Sequence, residues 1–130
     1  MTYFYAIVHK DPDSAFGVTF PDLPGCFSAA DRMEDVIPKA VEALDLWFED
    51  QDDVAPSPME AIREAARDDL AAGGFLIAVP RIRAGGGTTR INLSMDRYMV
   101  DAIDTAARAR GLTRSAFVAE AARQVIEGRS

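Results

Sequence analysis

Two side chains in this 130-residue chain could serve in nucleophilic or imidazole chemistry, because His9 and Cys26 are the only residues of their types. His9 closes an aromatic and β-branched run from Tyr3 to Lys10 and reads as a surface or edge residue at the end of a strand. Cys26 follows Gly25 and reads as a small core residue rather than a nucleophile. One cysteine allows neither an internal disulfide nor a thiolate zinc cluster. The remaining chemistry is recognition. Between Thr88 and Met95 polar and apolar residues alternate, so a strand there places Thr88, Arg90, Asn92 and Ser94 on one face. Thr89, Ile91, Leu93 and Met95 fall on the other. Taken one at a time, Arg90, Asn92 and Ser94 are as well explained by the solvated side of a strand.

These residues sit in a chain of two chemical characters. A composition of 48% hydrophobic and 27% charged residues is globular rather than disordered, with a net charge of −7. Residues 1–84 hold 7 Lys/Arg and 16 Asp/Glu, a net of −9, whereas residues 85–130 hold 7 Arg and 5 Asp/Glu, a net of +2. The two parts are therefore expected to face different partners. No apolar run approaches the roughly 18–20 residues of a membrane helix. The start, Met1-Thr2-Tyr3-Phe4-Tyr5, lacks the basic flank and apolar core of a signal peptide. The expectation is a soluble, reduced, cytoplasmic protein with no membrane partner.

Strands are expected at residues 3–10, 15–20 and 26–30, separated by turn chemistry at Asp11-Pro12-Asp13-Ser14 and Pro21-Asp22-Leu23-Pro24-Gly25. A three-stranded meander needs a helix across its apolar face. Asp31 as N-cap, Glu34 three residues on, and Met33, Val36, Ile37, Ala40, Val41, Leu44, Trp47 and Phe48 at helical spacing supply one, with Pro38 expected to kink its first turns. Ser57-Pro58-Met59-Glu60 reads as a second helix start, Met59, Ile62, Ala66 and Leu70 as its stripe, and Gly73-Gly74 as its end. Phe75–Val79 reads as a strand buried in the first sheet, ending near Pro80. Residues 1–83 thus read β-β-β-α-α-β, an α+β domain. Residues 84–87 are a Gly-rich linker, and residues 88–130 form a small second unit. Its elements are the alternating strand, a helix from about Asp96 to Ala109, Gly111 as a stop, and a last helix capped by Thr113.

One strand and two helices in about 40 residues bury too little apolar surface to fold alone. The bare strand edges also need protection. Two chains pairing their strands antiparallel and interlocking their helices solve both problems. Residues 88–127 resemble the ribbon-helix-helix family of DNA-binding domains, through Arg90-Ile91-Asn92-Leu93-Ser94-Met95, the Gly111 turn and Thr113-Arg114-Ser115. The resemblance implies a dimer whose ribbon enters the major groove with Arg90, Asn92 and Ser94 outward. Arg can contact guanine and Asn adenine in bidentate fashion. The amides around Thr113, Arg114 and Ser115 would hold a phosphate. A plain helix-turn-helix fits less well, since that motif needs a third supporting helix where this chain has a strand.

Residues 3–50 carry a second resemblance. Tyr5-Ala6-Ile7-Val8, Gly17-Val18, Phe20-Pro21-Asp22-Leu23-Pro24-Gly25-Cys26 and the following helix are similar to the HicB antitoxin family. The Ser57-Pro58 segment and the Phe75–Val79 strand also fit that family's partial RNase H-like fold. The resemblance implies a small basic HicA-type toxin that cleaves mRNA, held inactive by residues 1–83, and autorepression through operator double-stranded DNA. The −9 charge agrees, since an acidic domain attracts a basic RNA-binding protein. The outer side of the long helix, including Asp35, Glu42 and Glu49, is the candidate toxin surface. Self-association of the first domain as well would give tetramers. RNase H-like folds can hold metal between carboxylates, and Asp11, Asp13, Asp22 and Asp31 are available, but loop-forming roles explain all four. No catalytic residue, metal or cofactor is assigned. The competing reading is a free-standing transcriptional repressor with a ligand-binding or oligomerisation domain at its N-terminus.

Overall fold

The computed structural model describes residues 1–128, so that Arg129 and Ser130 of the expected second unit lie outside the described residues. Contacts divide the chain into two units, Met1–Arg83 and Ala84–Ser130. In the first, strands β1 (Thr2–Lys10), β2 (Phe16–Thr19), β3 (Phe27–Ala30) and β4 (Phe75–Arg81) form one sheet in the order β3-β2-β1-β4. Every pairing is antiparallel. The β1–β2 turn closes where Ser14 N donates to Asp11 O at 3.2 Å. Asp13 takes the left-handed conformation (φ 61°) that Asp tolerates better than most residues.

Strand alternation decides what the sheet buries. Phe4, Ala6 and Val8 of β1 join Val18 and Val79 on one face, against Val36, Ala40, Val41 and Leu44 of α1 (Val36–Glu49). These helix positions recur at three- and four-residue steps, so a single stripe meets the sheet. Ile7, pointing to the other face, is also buried. Ile62 of α2 (Met59–Ala65) and Ala66, between α2 and α3 (Arg67–Ala71), are buried, and α3 packs against β1 and β4.

Several local expectations are corrected. Asp31 does not cap α1 and Glu34 completes no capping box. A 3₁₀ turn at Met33–Asp35 precedes the helix, no side chain caps either element, and Arg32 pairs with Glu34 instead. The later start makes Pro38 the third helical residue, in the first turn, where the amide it lacks has no intrahelical partner to lose. Met33 falls in the 3₁₀ turn and is exposed rather than part of the stripe. Ser57 does not cap α2, because its hydroxyl is bonded to Asp22. The second helix is not continuous, since Ala66 (φ −99°, ψ 9°) leaves helical values between α2 and α3. The strand β4 is not buried as expected: it lies at the sheet edge with Phe75 and Ala78 exposed and only Val79 and Pro80 buried, and an edge is where Pro80 is tolerated.

In the second unit Asp96 accepts from Tyr98 N (2.9 Å) and Met99 N (3.3 Å) and starts α4 (Arg97–Ala109). Gly111 (φ 69°) ends that helix, with Leu112 N returning to Ala107 O at 2.8 Å. Thr113 Oγ1 accepts from Ala116 N at 3.1 Å and starts α5 (Arg114–Ile126). Residues 88–95 form no strand, contrary to expectation, and for a physical reason. A strand is defined by its ladder, and the other elements of this unit are helices.

Candidate functional site

The second unit carries one fully buried apolar residue among the described ones, Ala107, against sixteen in the first unit. Val100, Ile103, Phe117 and Val118 are half-buried, and several other large apolar side chains are open. Ile91 is 71% exposed, Leu93 67% and Val125 80%. The alternating run lies along the two helices and encloses a cavity of about 610 Å³ with them. Thr89, Ile91, Leu93 and Met95 line it from the run, Val100 and Ile103 from α4, and Val118, Ala119 and Ala122 from α5. All four inward residues of the alternation therefore face one apolar space.

Of the six residues singled out for DNA, Arg90 and Ser94 are exposed and do not line the cavity, whereas Asn92 reaches it together with Arg114 and Ser115. Thr113 is occupied as the α5 cap. Arg114 and Ser115 are the first two residues of α5, where the helix itself offers the amides no carbonyl partner. The sequence reading missed that the Arg114 guanidinium is already paired. Its Nε donates to Asp104 Oδ1 and its Nη2 to Asp104 Oδ2, both at 2.8 Å. The Arg114 hydrogen bond chiefly, with the charges of Arg114 and Arg108, holds the Asp104 carboxyl below its ordinary range despite some desolvation. The same bond raises Arg114 above its ordinary value.

In the first unit the Phe20–Cys26 loop is pinned from several sides. Leu23 N donates to Phe20 O (3.1 Å) and Cys26 N to Leu23 O (3.0 Å), while Leu23 itself is buried. Trp47 Nε1 donates to Pro24 O at 3.0 Å. Both oxygens of Asp22 are engaged at 2.7 Å, one by Ser57 N and the other by Ser57 Oγ. The run Phe-Pro-Asp-Leu-Pro-Gly-Cys is thus a structural clasp. Its Cys26 thiol is buried, and desolvation pushes it up from 9.0 to about 11. It stays protonated, and so poorly nucleophilic, at neutral pH. Replacing Asp22 by Ala should destabilise the first unit by about 2–3 kcal/mol, because the two Ser57 donors lose a charged acceptor. Urea melts of wild type and variant measure this directly, and an unchanged midpoint would show the clasp to be energetically idle.

Asp35, Glu42 and Glu49 recur every seven residues, but only Glu42 and Glu49 belong to α1, since Asp35 closes the 3₁₀ turn before it. They are not equally open as charges. Asp35 is 3.9 Å from Arg32 and Glu42 is 3.7 Å from Lys39, while Glu49 is exposed at the last helical position. Asp53 is a further carboxylate that sequence reasoning did not single out. It bonds Arg81 at 3.0 Å, whose guanidinium lies 3.5 Å from the Phe48 ring centroid, and it also pairs with Arg83 at 2.5 Å. Among the described residues no three His, Cys, Asp or Glu side chains converge as a metal site. No helix among them is long and apolar enough to cross a membrane.

A model of the HicB_like antitoxin of bacterial toxin–antitoxin systems matches residues 4–122. The chain belongs to this family. A UPF0150 protein of Archaeoglobus fulgidus is 33% identical over 46 residues, which is 35% of this chain and 67% of that protein. Among solved structures, the Burkholderia pseudomallei antitoxin HicB is 30% identical with a TM-score of 0.53, the match covering 97% of each chain. The antitoxin HicB3 is 28% identical with a TM-score of 0.51, over 95% of this chain and 97% of that one. A chain of the HicA3 and HicB3 toxin–antitoxin complex shares the fold at 24% identity and a TM-score of 0.51, over 60% of this chain and 95% of that one. The α+β build with its four-stranded antiparallel sheet is thus the build of HicB antitoxins.

Proposed function

We propose that this antitoxin neutralises a HicA-type, mRNA-cleaving toxin through residues 1–83 and represses its own operon through residues 88–130, acting in the cytoplasm and without catalysis of its own. The observation that carries the reading is the family match across residues 4–122, which reaches into both units. HicA3 and HicB3 form a toxin–antitoxin complex, and the −9 charge of residues 1–84 suits a basic, RNA-binding partner. The outer side of α1, with Asp35, Glu42 and Glu49, is the proposed docking face.

For the second unit the proposed form is a ribbon-helix-helix dimer. Two facts support it. One buried apolar residue cannot hold two helices together, and the inward half of the alternation already faces a cavity that a second copy can complete. Pairing two runs antiparallel leaves Arg90, Asn92 and Ser94 outward for base edges, while the first turn of α5 meets phosphate.

The test is co-expression with the protein encoded beside it, which on this reading is small and basic. The full chain should co-purify with that neighbour and restore growth. A chain ending at residue 83 should still restore growth yet lose repression of a promoter reporter. Failure of the full chain to bind its neighbour would overturn the toxin half, and full repression by the shortened chain would overturn the operator half.

A further inference from the structure

We propose that Asp104 acts as an intramolecular substitute for a DNA phosphate, holding Arg114 away from the backbone and so setting the tail's sequence-independent affinity. This rests on the operator-binding reading above. Arg114 is the first residue of α5, at a helix start of the kind that holds phosphate. The guanidinium presents its fork to Asp104 through two bonds of 2.8 Å each, the same two-point geometry that arginine uses on phosphate. One guanidinium cannot offer the same pair of donors to both anions. Asp104 belongs to α4 and reaches Arg114 across the Gly111 turn, with its side chain 29% exposed and that of Arg114 61% exposed. Arg108, one helical turn further along α4, adds positive charge at the same carboxylate. While the pair is closed, Arg114 adds no phosphate contact to the tail. Asp104 is therefore a positioning residue, and the closed pair cancels a charge that the tail would otherwise spend on any DNA sequence.

The experiment measures binding of the full chain to its promoter fragment and to an unrelated fragment of equal length, across 50–200 mM salt. Asp104→Asn should tighten both fragments alike, by about 3- to 10-fold at the lowest salt. It should steepen the dependence of log K on log salt by about 0.9 per protomer. Adding Arg114→Ala to that variant should remove the gain. Asp101→Asn, which deletes a charge from the same helix, should give a smaller gain that Arg114→Ala leaves in place. Arg114→Lys keeps the charge but loses the fork, and it should also steepen the salt dependence, which covers the case of an unfolded Asp104 variant. An unchanged slope in the folded Asp104 or Arg114→Lys variant would overturn the restraint, as would a gain that survives Arg114→Ala. A wild-type chain that shifts neither fragment would instead overturn the operator reading itself.

Discussion

Replacing both Arg90 and Asn92 by alanine is expected to lower operator affinity by about 2–6 kcal/mol, roughly 30-fold to 20,000-fold, while leaving the protein folded and its oligomeric state unchanged. Each bidentate base contact is worth about 1–3 kcal/mol, and two well-separated positions add approximately. Both side chains are exposed in the free chain, so truncating them disturbs little packing. The loss should be confined to the cognate fragment, because phosphate contacts persist and binding to unrelated DNA depends on those. Gel shifts on both fragments beside thermal melts separate the outcomes. Equal weakening on both fragments would mean that Arg90 touches phosphate rather than bases. No weakening on either would return a helix-turn-helix mode to consideration.

Leu93→Ala, one residue away, should behave in the opposite way. In the isolated chain Leu93 is 67% exposed, and truncating so open a side chain ordinarily changes stability by less than about 0.5 kcal/mol. If two copies pair their alternating runs, Leu93 becomes a core residue and its truncation costs about 2–5 kcal/mol. Melting should then depend on protein concentration, with the variant losing its dimer at concentrations where the wild type keeps it. Light scattering across a dilution series reads the same change. A cost below 0.5 kcal/mol would place Leu93 on the surface in solution as well, and the paired ribbon would have to be abandoned.

What could be read in advance followed from local periodicity. The stripe of α1 and the alternation of β1 are spacing patterns, and the buried residues Val36, Ala40, Val41 and Leu44 follow from them. The Thr113 cap directly precedes its helix, and the helix expected from about Asp96 begins where Asp96 caps it. The errors arose where a distant residue took the group that a local rule had assigned. Ser57 has the form of a cap, but Asp22 binds it from 35 positions away. Glu34 has the spacing of a capping box, but Arg32 takes its carboxylate. The apolar run of β4 suggested a buried strand, but an apolar run does not show which residues are covered, and at the sheet edge Phe75 and Ala78 stay exposed. Here α1 covers the face of Val79, and α3 packs against the same edge strand. The pairing of Asp104 with Arg114, ten residues apart across a turn, has no local signature at all.

Ala107 is the one buried apolar residue among the described residues of the second unit, and on the proposed function this governs how the system would respond to supply. A domain that folds only on pairing makes repression follow roughly the square of antitoxin concentration, whereas neutralising a toxin with an independently folded first unit follows its first power. As antitoxin is degraded, the operator would therefore empty before the toxin is released. Transcription would resume while protection still holds, which gives the circuit a margin between replenishment and harm.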